Sequence, residues 1–122
     1  MILDTSKEGL QTLFKPYEVA LLLHIWESNI EERTSISSGQ AYRFLQQTGE
    51  SDLMMSRASV IVFLNKMVEE GVLEYEEKTG KGGRHRVYYP KMDRKQFARH
   101  VVETITNKLD EVFPEAQPRR RV

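Results

Sequence analysis

The stretch from Ser56 to Pro90 constrains this chain more than any other part of it. Ser56 carries a hydroxyl able to accept from the free N–H groups of a helix start, and Gly71 stands where a helix end favours a left-handed residue. Between them Val60, Leu64, Met67 and Val68 recur at helical spacing, with Ile61 and Phe63 flanking the stripe. Ala58, Ser59, Val62, Asn65 and Lys66 fall on the opposite face. After Gly71 the period changes. Val72-Leu73-Glu74-Tyr75-Glu76 and Arg86-Val87-Tyr88-Tyr89 each carry part of a two-residue alternation. Thr79–Gly83 between them predicts a flexible, glycine-rich hairpin tip, and Pro90, with no N–H for a ladder, ends the second run.

The flanking segments supply helices. Pro16 suits a first helical turn, where a missing N–H costs nothing. A helix from there to about Ser28 has Val19, Ala20, Leu22, Leu23 and Trp26 as its apolar stripe. Residues 29–36 read as a polar loop. Ser37 and Gln40 have capping-box spacing, which predicts a helix over 38–47 burying Ala41, Phe44 and Leu45. Thr48–Asp52, with Gly49, reads as a turn. Downstream, Asp93 caps a long helix running to about Phe113, with Phe97, Val101, Val102, Ile105, Leu109, Val112 and Phe113 as its apolar positions. Pro114 and Pro118 stop it. The expected fold is mainly α with a small antiparallel β-hairpin. Its parts are an arm or short helix at 1–15, a compact domain at 16–92, the helix at 93–113 and a mobile basic tail at 114–122.

Net charge is zero, but its distribution is uneven. Residues 1–77 hold 6 Lys/Arg against 13 Asp/Glu, whereas residues 78–99 hold 8 Lys/Arg against the single Asp93. Such a concentration can dock a polyanion at one place and repel it elsewhere. Catalysis finds no support. Cysteine is absent, His24, His85 and His100 lie in different elements without metal-ligand spacing, and Glu31-Glu32 and Glu69-Glu70 are adjacent, so on a helix they diverge. Gly80-Lys81-Gly82-Gly83 lacks the hydroxyl residue after lysine and the following helix of a phosphate loop. No enzyme, metal or cofactor is expected. The start Met1-Ile2-Leu3-Asp4 is unlike a signal peptide, and no apolar run approaches the ~20 residues of a membrane span, so the expectation is a soluble, cytoplasmic protein.

The order helix, helix, helix, strand, tip, strand, helix resembles a winged helix-turn-helix. The resemblance is carried by Glu18–Glu27, by Ser56-Arg57-Ala58-Ser59-Val60, by Phe63–Leu73 and by Arg84-His85-Arg86-Val87-Tyr88-Tyr89-Pro90. Residues 16–92 look like the DNA-binding domain of small bacterial and archaeal repressors. The penicillinase-repressor (BlaI/MecI-like) family is the nearest likeness, since it too continues from a Tyr-Tyr-Pro-like strand into a helix resembling Asp93–Phe113. PadR-like and MarR-like regulators share the pattern.

The resemblance implies a sequence-specific transcriptional regulator, a repressor acting as a homodimer on double-stranded DNA. The helix at 56–70 would enter the major groove, with Ser56, Arg57, Ala58, Ser59 and Val62 near its start and Asn65 and Lys66 farther along. Arg57 has the fork to bond guanine, and Val62 or Ala58 the surface to meet a thymine methyl. In the wing at 78–90, Lys81, Arg84 and Arg86 would neutralise phosphates, giving affinity and salt dependence but little sequence information. The seven apolar positions of the last helix exceed the needs of a small core and would form the dimer interface, setting two recognition helices about one DNA turn apart. A small-molecule effector is compatible with this reading, though no polar set marks its site. The alternative is a winged-helix interaction module without a DNA role, its hairpin bound to an acidic protein surface.

Overall fold

The computed structural model describes residues 1–80 and 82–116. They form two compact units, Met1–Lys91 and Met92–Val122. The first holds helices α1 (Pro16–Ser28), α2 (Ser38–Gln47) and α3 (Arg57–Glu69), and strands β1 (Ile36–Ser37), β2 (Leu73–Gly80) and β3 (Gly83–Pro90). The second holds α4 (Arg94–Val112).

Local chemistry sets the helix boundaries. In α1, Pro16 occupies the first turn and the Lys15 N–H donates to the Glu18 carboxylate at 2.8 Å. At α2 the expected capping box is complete: the Gln40 N–H donates to Ser37 Oγ at 3.1 Å and the Ser37 N–H donates to Gln40 Oε1 at 2.9 Å. Ser56 Oγ accepts the Ser59 N–H at 3.1 Å to open α3. At its far end Gly71 has φ +79°, and the Gly71 and Val72 N–H groups donate to the Val68 and Met67 carbonyls. That left-handed turn reverses the chain into β2.

Burial on α1 differs from the sequence stripe. Tyr17, Leu21, Leu22, Ile25 and Trp26 are buried, whereas Val19, Ala20 and Leu23 are half-buried. The run Val19–Leu23 is apolar all round, so periodicity alone cannot select its inner face. The core of this unit gathers Leu21, Leu22, Ile25, Leu45, Val60, Leu64, Val72 and Leu73, all essentially closed to solvent. Each such aliphatic side chain stabilises the fold by about 1.5–3 kcal/mol relative to exposure. Tyr17 meets Phe63 edge-on, with ring centroids 6.0 Å apart, tying α1 to α3. Residues 1–15 fold onto themselves through a 3-10 turn at Gly9–Thr12 and the Ile2 and Asp4 N–H bonds to the Leu13 and Thr12 carbonyls.

The sheet is three-stranded, in the order β1-β3-β2, and antiparallel throughout. β1 replaces the end of the expected loop, with Ile36 opposite Tyr88 and Ser37 opposite Val87. The hairpin is longer than its alternation suggests, since pairing runs from Leu73↔Pro90 to Gly80↔Gly83.

In the second unit, Asp93 Oδ1 accepts the Gln96 N–H at 2.7 Å and its own N–H returns to Gln96 Oε1 at 2.9 Å. Along α4, Phe97 and Val101 are buried, Ile105 is half-buried, and Val102, Leu109, Val112 and Phe113 are exposed. Residues 114–116 make a 3-10 turn. Pro118 and Arg119–Arg121 of the expected tail lie outside the described residues. Among those described, no helix is long and apolar enough to cross a membrane.

Candidate nucleic-acid interface

The first turns of α3 offer the row that sequence reasoning expects. Arg57, Ala58 and Val62 are exposed, Val62 to 67%, and Ser59 is half-buried. An isoleucine-sized neighbour, Ile61, is also open, at 37%. Ser56 and Ser59 are less free than their exposure suggests. Beyond the cap bond, Ser56 Oγ donates to Ser59 Oγ at 3.0 Å, which spends the Ser56 proton while Ser59 keeps its own for another acceptor. Lys66 is exposed in the last turn of α3.

Antiparallel register sorts the hairpin into two faces, because directly opposite residues share a side. One face carries Tyr75 with Tyr88, Glu77 with Arg86 and Thr79 with Arg84. The Arg86 guanidinium lies 3.9 Å from the centroid of the Tyr75 ring and donates to Asn65 Oδ1 at 3.1 Å. The Tyr88 hydroxyl donates to the same oxygen at 2.6 Å. Asn65 is thus the node that bolts the wing to α3. It was expected at the DNA surface. A two-point contact with adenine needs Oδ1 as an acceptor, and here that oxygen already receives two donors. Arg86 is half-buried and held the same way, so its charge is presented from a fixed place rather than on a free arm.

Beside this node an open groove runs between α3 and the wing, lined by Ser38, Ile61, Asn65, Glu77, Arg84, His85, Arg86 and Tyr88. Burial pushes the Tyr88 hydroxyl above its ordinary pKa, an effect the neighbouring Arg86 partly opposes. On the other hairpin face Arg33, from the loop before β1, stacks 3.9 Å from the Tyr89 centroid and meets Glu74 at 2.8 Å.

The fold also revises the electrostatics of the wing. The basic window at 78–99 begins just after Glu74, Glu76 and Glu77, and the hairpin brings these carboxylates back alongside it. Glu77 Oε2 lies 3.7 Å from Arg84, a loose contact of two exposed groups that contributes little to stability. Arg94, Lys95 and Arg99 belong to α4 and not to the wing. Lys81, expected at the wing tip, lies outside the described residues.

One basic group escaped sequence reasoning. Arg43, on α2, approaches Gly39 together with Arg57. A Cβ built on Gly39 would sit 3.3 Å from Arg57 Nη2 and 3.7 Å from Arg43 Nη1. Helical spacing puts residues 39 and 43 on one face of α2, but no sequence signal joins them to residue 57, because that contact is made by packing α2 against α3. His24 stacks on Phe44, ring centroids 3.9 Å apart, as a helix-face residue. Among the described residues no group of His, Asp and Glu could hold a metal ion.

Comparison with known proteins gives one result. Residues 16–116 match the family model described as penicillinase repressor. No curated protein and no solved structure matches the chain.

Proposed function

The chain belongs to the penicillinase repressor family of DNA-binding transcriptional repressors, and we propose that it acts as a homodimer that reads a specific operator through α3 and holds the flanking backbone through its wing. The observation that carries this reading is the exposed start of α3 beside a wing fastened to it. Ala58 and Val62 offer apolar surface suited to a thymine methyl, and Ser59 a hydroxyl for a base edge. Asn65 joins Arg86 and Tyr88 to α3, so helix and wing meet a duplex as one rigid surface. Arg84, Arg86 and Lys81 supply phosphate contacts in this reading, with Lys66 placed for a further one at the far end of the helix.

Dimerisation rests on α4. Phe97 and Val101 are already buried in the single chain, which leaves Val102, Ile105, Leu109 and Val112, with Phe113 at the end. Those four are spaced three, four and three residues apart, the repeat of a two-helix seam. A stripe with that period, exposed apart from the half-buried Ile105, suits pairing with its own copy.

Selection of bound sites from a random duplex pool tests the proposal. An inverted repeat with discrete half-sites is the expected product. Absence of any duplex binding at low salt would refute it, and enrichment of a single unrepeated site would refute the dimeric part alone.

A further inference from the structure

Arg57 heads α3, and its sequence position suggests a guanine contact. Its side chain is aimed elsewhere. Gly39 lies in the first turn of α2, is buried, and has no side chain to keep a neighbour away. Arg57 Nη2 and Arg43 Nη1 both approach the point its Cβ would occupy, at 3.3 and 3.7 Å, so the two nitrogens lie at most 7.0 Å apart, those distances taken end to end. Like charges so placed repel. Among the described residues neither Arg57 nor Arg43 forms an ion pair such as those of Arg33 with Glu74 or Arg84 with Glu77. Residues 1–77 have only 6 Lys/Arg against 13 Asp/Glu, so two of a scarce set of cations converge, and among the described residues neither is paired with a carboxylate. An anion between them would turn repulsion into two charge-assisted contacts, and the planar guanidinium fork matches phosphate oxygens.

We infer that Arg57 and Arg43 form a clamp for one phosphodiester of duplex DNA, with Gly39 as the seat that lets Arg57 fold back to it. This deepens the reading of α3 as the DNA-facing helix and rests on it. Arg57 then gives affinity and register and leaves base recognition to Ala58, Ser59 and Val62. Gly39 matters through its missing Cβ: at 3.3 Å an alanine methyl would press the Arg57 fork outward by a few tenths of an ångström.

The test is fluorescence anisotropy of the full chain on a labelled mixed-sequence duplex across a salt series. The wild type is compared with Arg57→Ala, Arg43→Ala, the double variant, Arg57→Lys and Gly39→Ala, and far-UV circular dichroism confirms that each remains folded. Each alanine variant is expected to weaken binding several-fold at low salt. The double variant should flatten the log–log salt slope by about 0.9, the value for one phosphate, rather than by about 1.8 for two independent ones. Arg57→Lys should recover only part of the loss, and Gly39→Ala, which alters no charge, should weaken binding in the same direction but by less than either alanine variant of an arginine. If Arg57→Ala leaves mixed-sequence affinity and slope unchanged but alters the base selected at one position, Arg57 reads a base and the clamp is refuted. If inorganic phosphate at constant ionic strength saturates the Arg57 and Arg43 side-chain NMR signals while both alanine variants bind DNA like the wild type, the site serves a free anion and the DNA clamp is again refuted. A wild-type protein with no salt-dependent duplex binding would instead defeat the underlying reading of α3.

Discussion

Removing the Asn65 side chain gives the most informative perturbation of the wing. Asn65→Ala strips the acceptor from the Tyr88 hydroxyl and the Arg86 guanidinium at once. Tyr88 is only 2% exposed, so its hydroxyl loses a partner in a mostly dry place, and an orphaned buried polar group costs about 1–3 kcal/mol. The groove beside Tyr88 admits water, which points to the lower half of that range, about 1–2 kcal/mol. Tyr88→Phe is a different kind of loss. It removes one donor while Asn65 Oδ1 keeps Arg86, leaving nothing buried unpaired, at about 0.5–1.5 kcal/mol. In the Asn65→Ala background the same change deletes an orphaned hydroxyl and becomes neutral or stabilising. The double variant should therefore be better than the sum of the single ones by at least the Tyr88→Phe cost, about 0.5–1.5 kcal/mol. Urea unfolding at 25 °C and one fixed protein concentration measures all four proteins. Distant sites add to within about 0.3–0.5 kcal/mol, so additivity inside that limit would show that Asn65 and Tyr88 do not act as a unit.

Other outcomes follow from the same geometry. Leu109→Arg, in the middle of the exposed α4 stripe, should shift the protein from dimer to monomer in sedimentation velocity without lowering its helical signal; a persistent dimer would place the interface elsewhere. Val62→Ala should relax preference at one base position of the selected site with little change in mixed-sequence affinity. Lys81→Ala should weaken all sequences alike and reduce the salt slope by about 0.9; the reverse pattern would exchange the roles of helix and wing. Burial holds the hydroxyls of Tyr17 and Tyr88 above the ordinary value of 10.0, with Glu18 adding to the effect at Tyr17. The folded state thus keeps these protons longer than the unfolded chain, so the contribution is intact below about pH 10 and is lost as pH rises through the folded values. Melting temperatures measured between pH 8 and 11.5 should fall above 10, and less steeply in Tyr17→Phe and Tyr88→Phe.

Helix ends were legible in the sequence because their chemistry is local. Ser37 with Gln40, Ser56 before α3, Gly71 after it and Asp93 before α4 all act within a few residues, and all appear at those places. The hairpin's existence could be read, but its length could not. From Glu74 to Gly80 every β2 residue is exposed, so no alternation of burial marks the strand, and only pairing with Gly83–Tyr89 reveals it. β1 is two residues long, too short for any period, and is fixed by Val87 and Tyr88 about fifty residues later. The candidate site divides in the same way. Exposure at Ala58 and Val62 follows from helical phase, whereas the occupation of Asn65 by Arg86 and Tyr88 depends on partners 21 and 23 residues away.

That division bears on how a repressor of this composition holds DNA at all. With Glu74, Glu76 and Glu77 returned beside the wing, a wide positive field around the hairpin is not available, and long-range attraction would be weak and easily screened. In the proposed reading affinity then comes from a small number of cations at set places. Arg86 is fixed by Tyr75 and Asn65, while Arg57 and Arg43 converge at Gly39. A preset guanidinium loses less side-chain freedom when it meets a phosphate, so each contact is stronger than that of a free surface lysine. On the same reading a held cation such as Arg86 penalises a misaligned duplex, because it cannot follow a shifted backbone. In the proposed reading the phosphate contacts also fix register, which leaves the short row Ala58, Ser59 and Val62 to choose among sequences presented in that one register.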